Sequence, residues 1–137
     1  MLHELEILEA KHIAELAAEA RDARDRLLES VPEADLGEPQ PARGEHNPAG
    51  SLGFDALPPD EPSRSALREA IEQLPPAVLR KIWALTLIGR GDYAAKDWDQ
   101  AMAEAVPASD ASLIDSLMTQ ADLHDYLMKG LYELKLA

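Results

Sequence analysis

Along residues 2–29, apolar side chains recur every three to five positions, with charged residues between them. This spacing places the apolar side chains on one face of a helix, so it predicts a single long amphipathic helix that ends before Pro32. This apolar face is longer than the rest of a compact helical domain can cover, so we expect part of it to dock on a second chain. The predicted stripe consists of Leu2, Leu5, Leu8, Ile13, Leu16, Ala20, Ala23 and Leu27.

The helical pattern stops in residues 31–62, which contain seven of the ten prolines and four of the seven glycines. This stretch also has seven acidic residues against one basic residue. Proline and glycine at this density predict an acidic loop. Leu52, Phe54 and Leu57 alternate with small or polar residues inside it, so we expect that short segment to pack onto the helical body.

Helical periodicity returns after the loop, with Ser63 or Ser65 as the predicted first cap. The helix from about residue 76 to 88 is apolar nearly all round, which predicts a central position. Gly89 is the predicted left-handed stop of that helix, and Asp92 the predicted cap of the next one. One helix is predicted to end at Leu74, before Pro75, and another to end before Pro107. Ser109 or Asp110 is predicted to open a short helix that carries Leu113 and Met118. A capping box at Thr119 and Asp122 is predicted to start the last helix, with Gly130 at a close helix approach.

Composition supports an all-α fold, because 46% of residues are hydrophobic but only 4% are aromatic. The chain length of 137 residues fits one small domain with five to six helices. We divide it into a long N-terminal helix (1–30), an acidic Pro/Gly-rich loop (31–62) and a helical core of the same domain (63–137).

The net charge of −13 disfavours nucleic acid and bare membrane as partners, since both are anionic. A nucleic-acid role would require Arg64, Arg68, Arg80 and Lys81 to line one face. The chain has no cysteine, so disulfides, thiolate nucleophiles and cysteine-bound metals are excluded. The first residues, MLHELEILEAK, lack the positive start of a signal peptide, so a cytoplasmic protein is expected. We also expect no cofactor.

The Gly-Arg-Gly-Asp turn between the two tryptophans contains the most distinctive polar group. Arg90, Asp92, Tyr93 and Trp98 are the candidate binding residues, since a guanidinium and aromatic rings beside carboxylates can hold a small anion or a peptide carboxylate. A structural interpretation has more weight: Arg90 and Asp92 clamp two helices while Trp83 and Trp98 fill the core. The Arg-Gly-Asp triplet lies between two buried helices, which argues against an adhesion loop.

Known catalytic and metal-binding patterns are absent from the sequence. Aligning Glu104 with the last position of a calcium-binding hand places Trp98 where glycine belongs, so that loop fails the template. His3, His12, His46 and His124 have no partner at metal-ligand spacing and are expected to be lone surface histidines. We therefore assign no catalytic residue and no metal ligand, and an enzyme is less expected than a non-enzyme.

One family resemblance depends on residues in and after the glycine turn. The pattern A-L-x-x-I-G-R-G-D-Y over residues 84–93, then Trp98 and the Tyr126-Leu127, Gly130-Leu131 pairs, resembles a family of small bacterial proteins catalogued as a domain of unknown function. The resemblance implies a bacterial source and an all-helical body. It implies no activity.

The leading hypothesis is an interaction module that forms a homodimer through the Leu2 to Leu27 stripe and presents its acidic loop to an unknown protein partner. The alternative is a small-molecule-binding or catalytic domain with a polar site at the Gly89 to Tyr93 turn. An exposed apolar stripe would favour the first, and a deep pocket beside the turn would favour the second.

Overall fold

The computed structural model describes residues 3–30, 54, 57, 58 and 60–136. Over these residues the chain is all-α, as predicted, with no strand. A short 3₁₀ turn at Ala95–Asp97 precedes the fourth helix. The six helices are α1 (Glu4–Ser30), α2 (Pro62–Glu72), α3 (Pro76–Arg90), α4 (Trp98–Ala105), α5 (Asp110–Met118) and α6 (Leu123–Glu133).

Helix α3 is the centre of the fold, as its apolar sequence predicts. It packs against α4, α5 and α6, and residues 84–89 are all buried. Pro76 occupies its first turn, where a missing N–H costs nothing. The one buried polar side chain in this run, Thr86, donates a 2.8 Å hydrogen bond to the Ile82 carbonyl, so its burial leaves no unsatisfied hydroxyl.

Helices α3 and α6 approach closely because glycine stands at two positions of their contact. A Cβ at Gly130 would lie 2.5 Å from the Leu85 carbonyl oxygen, and one at Gly89 would lie 2.5 Å from the Tyr126 carbonyl carbon. The order of these contacts shows that the two helices run antiparallel. The close approach predicted for Gly130 is confirmed, and Gly89 is its counterpart.

The predicted stop at Gly89 is wrong, because α3 continues for one more residue to Arg90. Gly91 is the residue in the left-handed conformation, with φ of 91°. Its N–H donates to the Ile88 carbonyl at 3.0 Å, and the N–H of Asp92 donates to the Leu87 carbonyl at 3.0 Å. Gly89 is excluded from the turn because the contact with α6 needs it inside the helix.

Helix α1 packs its central part against α2 and α6. The contact uses small side chains, which allow helices to approach closely, and Arg21 joins α1 to α6 through a 2.9 Å ion pair with Asp125. The expectation of a surplus stripe from Leu2 to Leu27 is therefore wrong for the middle of the helix, which the chain covers itself. Buried residues of α1 are Ala10, Ile13, Ala14, Ala17, Ala20 and Ala23.

Two predicted stripe positions are exposed: Leu5 at 73% and Leu8 at 57%. Leu2 lies outside the described residues. Leu8 is on the far side of α1 from Ala10, because the two positions are about 160° apart on a helix of 3.6 residues per turn, and Leu5 lies about 60° from Leu8.

The segment before α2 is anchored as expected, since Phe54 and Leu57 are buried at 0% and 3% exposure. Leu52 and the predicted acidic loop up to residue 53 lie outside the described residues. The cap of α2 is Glu61, which accepts a 2.8 Å hydrogen bond from the Arg64 N–H. Neither serine predicted for this position is the cap, because α2 begins earlier, at Pro62.

The cap predicted at Ser109 is confirmed, with a 3.1 Å hydrogen bond from the Ser112 N–H. The capping box predicted at Thr119 is wrong. Its hydroxyl donates instead to the Ser116 carbonyl at 2.7 Å, and α6 begins after Asp122 without a side-chain cap.

Candidate functional site

Arg90 and Asp92, two of the four predicted binding residues, contact each other at the end of α3. Arg90 Nε lies 3.3 Å from Asp92 Oδ2, and the guanidinium carbon lies 5.9 Å from the centre of the Trp83 ring. The expected role of Asp92 as cap of the following helix is wrong, since the 3₁₀ turn separates it from α4. Both side chains are partly exposed, so this pair contributes little to stability.

Tyr93 and Trp98 connect the turn to α4. The Tyr93 hydroxyl donates a 3.2 Å hydrogen bond to Glu104 Oε1. Partial burial, followed by this hydrogen bond and the nearby negative charges of Glu104 and Asp92, raises the pKa of Tyr93. Trp98 is only 8% exposed and belongs to the core, whereas Trp83 is half-buried.

A depression of about 270 Å³ lies beside the turn. Of the four predicted residues, Tyr93 lines it, whereas Arg90, Asp92 and Trp98 do not. The depression is smaller than the roughly 300–1,000 Å³ typical of ligand pockets, and it is open to solvent on one side. Its lining residues are Ile88, Gly91, Tyr93, Ala94, Ala95, Lys129 and Glu133.

The histidines contribute no metal site within the described part of the chain, where no group of three or more histidine, aspartate or glutamate residues converges. His3 and His12 are exposed, as expected. His124 departs from the expectation of a surface histidine. Its Nδ1 lies 3.0 Å from the Ala14 carbonyl oxygen, so Nδ1 carries the hydrogen in that contact and helps join α6 to α1.

The basic residues proposed as a test of nucleic-acid binding do not form a free basic face. Arg68, Arg80 and Lys81 each contact a carboxylate and thereby connect helices or support a single helix. Lys81 also affects its partner: desolvation alone would raise the pKa of Glu6, but hydrogen bonds from the His3 N–H and from Lys81 outweigh it and lower that pKa. The pairs are Arg68 with Glu72 and Asp115, Arg80 with Asp110, and Lys81 with Glu6.

A larger concave surface lies between the first turns of α1 and the end of α2. We call it the N-terminal groove; its volume is about 470 Å³. Ile13 and Leu74 form a buried apolar floor, while Leu5 and Leu8 leave most of their side chains in water. The lining residues are Leu5, Leu8, Glu9, His12, Ile13, Ala70, Gln73 and Leu74.

The sequence contains a pattern that could have indicated this groove. The predicted stripe combined the exposed Leu5 and Leu8 with buried residues of α1. Leu5, Leu8 and His12 follow a three-to-four spacing of their own, and Ala10, Ala14 and Ala17 follow another on the opposite side of the helix. The two spacings place Leu5 and Leu8 outside the core, whereas Ala10, Ala14 and Ala17 are buried in it.

These features define a small helical domain whose two glycine-containing helices approach closely. A family model described as "Protein of unknown function (DUF3775)" matches residues 64–136, more than half of the chain. The chain belongs to this family. The match begins within α2 and extends to the end of α6, so it includes neither α1 nor residues 31–62.

No curated protein and no solved structure matches the chain. In the part of the chain that the structure describes, no helix has the length and apolar character needed to cross a bilayer.

Proposed function

We propose that this protein is an interaction module that self-associates through the N-terminal groove. The observation that carries the proposal is the exposure of Leu5 and Leu8, at 73% and 57%, beside an apolar floor. An apolar helix face beside a groove is a common way for one helix to bind another. The acidic loop that the sequence analysis assigned to a further protein partner lies outside the described residues.

The expected affinity follows from the exposed area. Full burial of a leucine side chain contributes roughly 1.5–3 kcal/mol. Leu5 and Leu8 are about two-thirds exposed on average, so covering the exposed part of these four side chains in two copies would contribute about 4–8 kcal/mol, against an association cost of about 4–15 kcal/mol. The most favourable combination of these ranges leaves a net gain of about 4 kcal/mol, so the balance predicts weak association, with a Kd on the order of 1 mM or above.

Sedimentation equilibrium tests the proposal with the double variant Leu5→Gln, Leu8→Gln. The wild-type weight-average mass should rise above 15.0 kDa as concentration increases toward about 1 mM, and the variant should stay at the monomer mass. A matched control replaces Val106 and Tyr132, two other large exposed apolar residues in the described part of the chain, with glutamine. Equal association of all three proteins would contradict the proposal.

The alternative, a small-molecule site at the Gly89 to Tyr93 turn, has one favourable observation, the depression beside Tyr93. It has less support because Arg90 and Asp92 are engaged with each other outside that depression. We therefore assign these residues to packing of the turn and place the binding surface on α1.

A further inference from the structure

Helix α1 meets the rest of the chain through a row of small side chains. Five of the six buried residues described in α1 are alanines. An alanine row allows close approach, but it does not fix the position of the helix along the face that it covers. A shift of about one turn would bring a neighbouring alanine into most of these places. The register of α1 therefore depends on other contacts.

Three polar contacts, spread along α1, supply this register by joining it to α3 and α6 at 2.9–3.0 Å. Their α1 residues are eight and seven positions apart, which is about two helical turns in each case, so all three lie along the docked face. A helix that fits this face has a carboxylate near its start, small side chains along its centre, and a guanidinium fifteen residues after the carboxylate. The contacts are Glu6 with Lys81, the Ala14 carbonyl with His124, and Arg21 with Asp125.

The helices that receive α1 belong to the body that the family match covers. The match begins at residue 64 and includes most of α2 and all of α6, whereas α1 lies outside it. The glycine contact between α3 and α6 also lies within the matched range. Phe54 is buried ahead of α2, and 23 residues of sequence separate it from the end of α1. A chain of that length reaches roughly 75–80 Å when extended, so α1 can leave while Phe54 stays in place.

Helix α1 is also suited to remain a helix away from the body. It has 27 residues, whereas isolated helices shorter than about 12–15 residues are marginal in water. Its sequence consists largely of alanine, glutamate, leucine and arginine, which favour the helical conformation. A helix of this kind can bind as a preformed unit.

We infer that the face formed by α2 and α6 is a helix-binding site of the family body, and that α1 is the ligand bound there within the same chain. The three polar contacts give the site its selectivity, and the alanine row allows the close fit. The N-terminal groove lies between α1 and α2, so it exists only while α1 occupies this site.

Hydrogen exchange of the wild-type chain gives the first test. Amides in the middle of α1 should exchange at least about tenfold faster than those of residues 84–89 in α3, because α1 leaves the body without unfolding it. Equal protection of the two helices would show one cooperative unit and would overturn the inference.

A double substitution in the alanine row gives the second test. Ala14→Glu, Ala17→Glu places two charges against the body, and we call this chain the released variant. Trp83 and Trp98, which lie on the body, should still report a cooperative transition in urea. The control Arg26→Glu makes the same change in net charge at an exposed position of α1 and should leave α1 bound.

A synthetic peptide of residues 3–30 probes the site directly. It is used at micromolar concentration, far below the Kd of about 1 mM or above expected for self-association. It should bind the released variant at least about tenfold more tightly than the wild-type chain, whose own α1 occupies the face. The same peptide with Arg21→Glu should bind the released variant about threefold to tenfold more weakly.

The possible results separate a bound helix from a core helix. Loss of the tryptophan transition in the released variant would show that α1 is part of the core and would overturn the inference. Equal binding of the peptide to the released variant and the wild-type chain, or no binding to the released variant, would also overturn it. Equal affinity of the two peptides would refute the polar register.

Discussion

Replacing Gly89 by alanine tests the close contact between α3 and α6. The new Cβ would overlap the Tyr126 carbonyl oxygen and would lie 2.5 Å from the Tyr126 carbonyl carbon and 2.8 Å from its Cα. These atoms are backbone, so no side chain can rotate away. Helices α3 and α6 would have to separate by on the order of 1 Å, a gap that forfeits a quarter to a half of the dispersion energy across it.

The magnitude follows from two opposing effects. Overpacking of a well-packed core costs typically about 1–3 kcal/mol, and a backbone clash belongs at or above the upper end. Alanine is favoured over glycine in a helix by roughly 0.5–1 kcal/mol. We expect Gly89→Ala to lower the free energy of unfolding by about 2–3 kcal/mol, which lowers Tm by roughly 6–18 °C for a chain of this size.

Gly91→Ala is the matched control for Gly89→Ala. The site has open space around a Cβ but a φ of 91°, so the variant suffers only conformational strain. This strain should cost about 1 kcal/mol after the gain from a less flexible unfolded chain. Urea unfolding followed by tryptophan fluorescence compares the two. If Gly89→Ala were as stable as wild type, or no less stable than Gly91→Ala, the close-contact argument would be refuted.

Three further predictions concern single contacts. Arg80→Ala should lower the free energy of unfolding by about 1–3 kcal/mol, because Arg80 donates hydrogen bonds to Asp110 and to the backbone carbonyls of Val106 and Ala108. Urea unfolding measures this change, and an unchanged midpoint would contradict it. Phe54→Ala should cost about 3–5 kcal/mol because the ring is fully buried, and thermal unfolding that matches wild type would show that the segment is not anchored. Folding lowers the pKa of Glu6, so its ionised carboxylate stabilises the fold above the unfolded-state pKa, and this stabilisation is lost as pH falls through the folded-state pKa. The free energy of unfolding should therefore decline less between about pH 6 and pH 3 in Glu6→Gln than in wild type. Parallel pH profiles of the two proteins would refute this.

The helices were predictable because each carries a local signal. Helix α3 is apolar nearly all round, Pro76 marks its start, and Ser109 caps α5, so these elements follow from sequence alone. The end of α3 was not predictable, because Gly89 and Gly91 are equally able to stop a helix. A contact with α6, distant in sequence, decides between them.

The candidate site was harder to predict for the same reason. Arg90 and Asp92 are suitable residues for binding a ligand, but the turn lets them pair with each other, and that depends on where α3 ends. Leu5 and Leu8 were assigned to one stripe with Ile13, Ala20 and Ala23, and spacing alone did not separate the covered part of that stripe from the exposed part. Their exposure depends on which face of α1 meets α2 and α6, and residue spacing alone does not define that face.

The claim that the N-terminal groove is the self-association surface is tested most directly by amide NMR spectra of the wild-type chain at about 0.05 mM and about 1 mM, the second of which reaches the expected Kd. The account predicts concentration-dependent shifts of amides around Leu5, Leu8, His12 and Leu74, with the Gly91 to Ala95 turn unchanged. Spectra that are identical at both concentrations, or shifts confined to that turn, would contradict it.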